Sequence, residues 1–173
     1  MSDQPACRPA LAGSLALFCA LAGTFVTHAS AQLQSPTCQV TRPNGVAARG
    51  QELHGNIHGG EGLSVLMHSS DGVITFKPHG PGFVEADGSL VMKVPWHRGD
   101  RGQLSITGRR LDGPAAPLRA RIPTGYGEIG FQSAALIFPT PGCWEVTGRV
   151  GGAQLTFVSL VVKIGDGPRA GAK

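Results

Sequence analysis

After residue 31 the apolar residues come in short runs, and almost every run ends at a glycine or a proline. The longest stretch free of both is 153–164, Ala-Gln-Leu-Thr-Phe-Val-Ser-Leu-Val-Val-Lys-Ile. A helix that short needs better helix formers than these β-branched residues, so the run predicts a strand. The same punctuation predicts strands over 38–41, 63–68, 73–76, 82–85, 89–94, 104–109, 118–122, 131–138 and 143–150. Ser69-Ser70-Asp71-Gly72 and Ala86-Asp87-Gly88 carry Asp-Gly turn signals and predict two hairpins. Over 143–150 the alternation sends Trp144, Val146 and Val150 to one face, and Glu145, Thr147 and Arg149 to the other. Over 118–122 it sets Arg119 and Arg121 on one solvent-facing side. Segments 42–61 and 110–117 read as loops and 166–173 as a disordered tail. Ten short strands predict an all-β fold of two packed antiparallel sheets.

The first residues change the picture of compartment. Arg8 precedes an apolar run over 11–26, and Ala29-Ser30-Ala31 fits small-x-small cleavage, so 1–31 reads as a signal peptide. A run of about 16 residues falls short of the roughly 20 that span a bilayer. Thr24 follows Leu21-Ala22-Gly23, where lipidation requires a cysteine. The expectation is a soluble secreted or periplasmic product with no transmembrane segment. Of the four cysteines, Cys7 and Cys19 fall in the leader. Cys38 and Cys143 remain, and an oxidising compartment favours a disulfide between them. A bridge closing a loop of about 100 residues adds roughly 4–5 kcal/mol in the chain-entropy model. The remainder, 32–165, is the length of one domain. The 41% hydrophobic content of the whole chain argues for a packed core despite its 26 glycines and 13 prolines. The net charge of +4 is mild, and neither a basic face nor a module of the nucleic-acid binders is present.

Phe138-Pro139-Thr140-Pro141-Gly142-Cys143-Trp144-Glu145-Val146 leads through a Pro/Gly turn into a strand, and Gly151-Gly152 returns the last one. Immunoglobulin-like sandwiches commonly finish in this way, with a large aromatic between the sheets. The composite of Pro95-Trp96, Gly108-Arg109-Arg110-Leu111-Asp112, Pro117-Leu118, Ile122-Pro123, Gly125-Tyr126-Gly127, Gly130-Phe131-Gln132 and 142–148 resembles a group of uncharacterised bacterial secreted proteins and lipoproteins. The resemblance covers roughly 88–164. It implies an exported domain with an immunoglobulin-like antiparallel β-sandwich and brings no activity with it. The chain departs from that group in its His-rich first half and at His97, where an aromatic is more usual.

Candidate chemistry falls into three classes. Arg98, Arg101, Arg109, Arg110, Arg119 and Arg121 lie close together with few acids among them. The planar donor fork of arginine suits phosphate and carboxylate. Trp96, Arg98, Arg101, Arg109, Arg110 and Tyr126 are therefore the candidate binding residues. Their partner would be an anionic envelope glycan, a lipid headgroup or a protein. The plainer explanation is a solvated sheet face with Arg–Asp pairs such as Arg110 with Asp112. Arg98-Gly99-Asp100 spells an adhesion tripeptide, which recurs by chance. In the second class His54 and His58 are spaced to share a face, with His68, His79 or His97 as a third ligand for copper or zinc. Flanking glycines point instead to exposed loop histidines. In the third class, a hydrolase, His68-Ser69-Ser70-Asp71 has the residue types of a nucleophilic site but sits in a turn, and no Gly-x-Ser-x-Gly elbow exists. The reading that stands is a non-catalytic exported binding or scaffolding domain with no cofactor, Trp144 lying in the core.

Overall fold

Strands form where the sequence alternates, and no helix interrupts them among residues 37–165, the part of the chain that the computed structural model describes. The expected signal peptide and the expected tail lie outside the described residues. The strands are β1 (Ile57–Gly59), β2 (Leu63–Leu66), β3 (Val73–Phe76), β4 (Phe83–Val84), β5 (Leu90–Arg98), β6 (Ser105–Arg110), β7 (Arg119–Arg121), β8 (Gly130–Phe138), β9 (Gly142–Val150) and β10 (Ala153–Lys163). One sheet runs β1-β2-β5-β8-β7, with β4 also paired to β5. The other runs β3-β10-β9-β6. The fold is thus all-β with two sheets, as expected.

Alternation builds the core. Leu90, Met92, Val94 and Trp96 of β5, with Ala134, Leu136 and Phe138 of β8, face Trp144, Val146 and Val150 of β9 and Leu155, Phe157 and Val161 of β10. The face expected for Trp144, Val146 and Val150 is the buried one. Gly148 completes that row for a steric reason. A Cβ there would lie 2.4 Å from Cζ3 of Trp96, so the glycine gives the indole its space. Burial of a large side chain stabilises by about 2–3 kcal/mol, and Trp96 and Trp144 are both fully enclosed.

Several features differ from the sequence reading. Residues 38–41 form no strand; Thr41 instead clasps β10, its N–H donating to Val158 O and its Oγ1 accepting from Val158 N–H, both at 2.9 Å. β1 lies inside the segment read as a loop. The turn at 69–72 is no hairpin, because β2 and β3 belong to different sheets. Gly72, at φ +74°, makes that crossover, where a Cβ would meet Thr41 O at 2.6 Å. β3 then pairs with β10 in parallel, so the second sheet is mixed. The other expected hairpin holds, with Phe83 opposite Val91 and Val84 opposite Leu90.

β5 also runs on to Arg98, through Pro95. On one edge β4 covers its start and β2 its end. Pro95 falls in the gap between them, where no ladder N–H is required. His68 Nε2 fills that gap, 2.8 Å from Lys93 O. The disulfide joins Cys38 to Cys143 with Cα atoms 5.5 Å apart and 105 residues between them in sequence. It pins the incoming segment at the end of the molecule where β8 turns into β9. No helix among the described residues is long and apolar enough to cross a membrane.

Candidate ligand cleft

At the opposite end, β5 and β7 finish while β6 and β8 begin. There the two sheets part around a cleft of about 430 Å³. Leu104 and Ile122 supply apolar wall, Tyr126 and Glu128 stand on the 123–129 loop, and Arg98 and Gln132 also line it. Arg98 and Gln132 occupy inward positions of neighbouring strands. Trp96 is opposite Gln132 and Arg98 opposite Gly130, so the arginine and the glutamine are diagonal neighbours.

Arg98 is 4% exposed, and no carboxylate among the described residues pairs with it. Its Nη1 donates to Gly102 O at 3.0 Å and its Nη2 to Gly127 O, so it ties both rims of the cleft through backbone carbonyls. Guanidinium has five N–H donors, which leaves three unused. Its Nε is buried and without a partner. A buried charge is costly unless it is both paired and hydrogen-bonded. Gln132, 7% exposed, donates through Nε2 to Pro123 O at 3.1 Å, while its Oε1 accepts nothing.

These two are part of a pattern. The buried side-chain polar atoms without a partner among the described residues are His58 Nδ1, Trp96 Nε1, His97 Nδ1, Arg98 Nε and Gln132 Oε1. His58, Val65, Trp96 and Gln132 form one register row across β1, β2, β5 and β8. His97 and Arg98 continue β5 beyond that row. Buried polar groups are normally satisfied, and here the exceptions collect at one end.

The sequence-predicted binding residues separate. Arg98 and Tyr126 line the cleft. Arg101 stands beside it in an exposed ion pair with Glu128. Trp96 is fully buried, 6.0 Å from Phe157 between ring centroids, and so presents no surface for a ligand to stack on. Arg109 and Arg110 are on β6, in the other sheet. Arg109 pairs with Glu145 at 2.8 Å and Arg110 with Asp112 at 2.6 Å. Arg119 and Arg121 are both exposed and pair with Asp87 and Glu85. The arginines therefore share no single face, and Arg98 alone among these six has no acidic partner. Because it is buried, the Arg98-Gly99-Asp100 tripeptide is not displayed.

His54 is exposed in the segment before β1, while His58 is on β1 itself. No group of three or more His, Cys, Asp or Glu among the described residues is arranged to hold a metal ion. Ser69 and Asp71 form a turn network, in which Ser69 Oγ donates to Asp71 Oδ1 at 2.5 Å and Val73 N–H donates to Asp71, while His68 turns away to Lys93 O. The Ser69 hydroxyl and the Val73 N–H hold the Asp71 carboxyl below the usual range. Asp87 is lowered in the same way by Ser89. His97 faces the outer side of its sheet, opposite Ser64, where Ala48 N–H donates to Ser64 Oγ at 2.9 Å. Burial pushes its pKa down, so the ring is neutral at neutral pH. It touches Phe131 at 5.5 Å, and Phe131 in turn touches Tyr126 edge-on at 5.7 Å.

Sequence reasoning missed Gln132. The signal was present, since Gln132 takes the inward parity of Ala134, Leu136 and Phe138 and is the polar exception in that row. No family model, curated protein or solved structure matches this chain.

Proposed function

We propose that the protein is an exported, non-catalytic binding domain of the immunoglobulin-like β-sandwich type. Its binding site is the Arg98 cleft, and its ligand presents a carboxylate or phosphate group at the cell envelope, on a glycan, a lipid headgroup or a protein. One observation carries the reading: a buried guanidinium with three unused N–H donors and no carboxylate lines an open cleft. An anion there supplies the missing counter-charge through charge-assisted hydrogen bonds. Export is supported by the disulfide, which persists in oxidising compartments, and by the leader read from residues 1–31. The likeness to secreted bacterial proteins over 88–164 supports the same placement.

The test is a titration of the isotope-labelled, oxidised protein with acetate and with inorganic phosphate, against chloride at matched ionic strength. The amide signals of Gly102, Thr124 and Gly127 should move with the anions and not with chloride. Movement confined to other surfaces, or none, would discard the site.

A further inference from the structure

The geometry points to a narrower ligand class: a sugar acid of monosaccharide size, a pyranose ring bearing a carboxylate. This rests on reading the cleft as an anion site, and it follows from what stands beside Arg98. A simple anion would satisfy the guanidinium and leave Gln132 unsatisfied. Gln132 lines the cleft with its Oε1, an acceptor, buried and without a donor, and a bare phosphate or carboxylate brings no hydrogen to it. The matching ligand carries an anion and, a few ångströms away, an O–H. A carboxylate on a polyhydroxy ring has both.

The walls agree. Leu104 and Ile122 offer apolar surface for ring carbons. Tyr126 meets Phe131 edge-on and is 37% exposed, so it offers an aromatic surface at the rim. Amphipathic rings of this kind pack apolar faces while a polar group remains at the edge. The volume of about 430 Å³ falls within the 300–1,000 Å³ or so of small-ligand sites. Glu128 is the one acid lining the cleft, and Arg101 neutralises it from the exposed side. The cleft is open to solvent, so an acidic residue within a longer glycan enters as readily as a free sugar.

Calorimetric titration of the oxidised protein with glucuronate, glucose and acetate tests this, with amide shifts to locate binding. Glucuronate should bind at least tenfold more tightly than either glucose or acetate. Tyr126→Ala, at an exposed position, should weaken glucuronate at least fivefold without unfolding the domain. Gln132→Glu places a carboxylate diagonal to Arg98. It should abolish glucuronate binding while the melting temperature holds or rises. If glucuronate binds no better than acetate, the sugar acid is overturned and the anion site stands. Glucuronate binding unchanged in both variants also overturns it, and no response of the cleft amides to any acid removes both readings. Should Gln132→Glu fail to fold, Tyr126→Ala alone decides the matter.

Discussion

The two ends of this molecule handle the same chemical groups in opposite ways. At the disulfide end, Trp144 is fully buried and its Nε1 donates to Thr140 O at 3.0 Å. Arg110 is half-buried there, paired with Asp112 and within 3.3 Å of Thr140 Oγ1. Burial alone would raise the Asp112 carboxyl, but the Arg110 guanidinium outweighs it and holds that carboxyl below its usual range. At the cleft end stand Trp96 with an unpartnered Nε1 and Arg98 with no carboxylate. Each end has a fully buried tryptophan in contact with a phenylalanine. They differ in polar satisfaction. One end is closed by covalent and ionic links, whereas the other retains buried donors and an acceptor without partners beside a cleft. An unmet buried group costs stability, and in this fold those costs gather around one opening.

The sharpest way to break this contrast is to open the closed end. Replacing Cys38 and Cys143 together with alanine should lower unfolding stability by about 4 kcal/mol in a urea titration. The anion-induced amide shifts in the cleft should be retained wherever the protein remains folded, because the bridge and the cleft sit at opposite ends of β8. Loss of those shifts in the folded double variant would show that the two ends are not independent. A smaller effect compares the tryptophans. Trp144→Phe should cost about 1–2 kcal/mol more than Trp96→Phe, because it leaves Thr140 O unpaired while Trp96→Phe removes an orphan donor. Equal losses in denaturant would mean that the satisfaction of the two indoles does not differ in the way described.

The smallest effect is a pH dependence. Burial lowers the folded-state pKa of His97 below its unfolded value near 6.5. Between those two values the unfolded chain binds more protons than the folded one, so stability falls as pH drops through that window. Below the folded-state value both forms are protonated and the loss levels off. His97→Phe keeps an aromatic against Phe131 and should flatten melting temperature against pH in that window. An unchanged slope in the variant would assign the titration to another group.

Several of these features could be read from the residues alone. The faces of 143–150 followed from alternation, since a strand facing a core on one side must place apolar and polar residues on opposite sides. The hairpin at 86–88 followed from Asp-Gly. Other features could not be read. Ser69-Ser70-Asp71-Gly72 carries much the same turn signal as 86–88, yet one joins neighbours within a sheet and the other crosses between sheets. A turn motif sets the local direction of the chain and leaves open which strand pairs with which. The arginines show the same limit. Six of them within a short stretch suggested a shared face, but β6, β7, the end of β5 and the loop after it carry them to separate places, five beside an acid and Arg98 beside none among the described residues. Gln132 was legible only as an exception of parity, and its meaning depended on Arg98 lying diagonal to it.

What the sequence determined by itself was therefore local: which segments extend, which of their residues are apolar, where the chain turns, and that two of the four cysteines lie beyond residue 31. These properties act between near neighbours or through composition, and no partner strand is needed to express them. Tertiary structure alone decided the strand order, the parallel pairing of β3 with β10, and which one of six arginines lacks a carboxylate. Burial and ion pairing depend on residues far apart in the chain being brought within a few ångströms, and that distance is fixed only when the two sheets close on a common core.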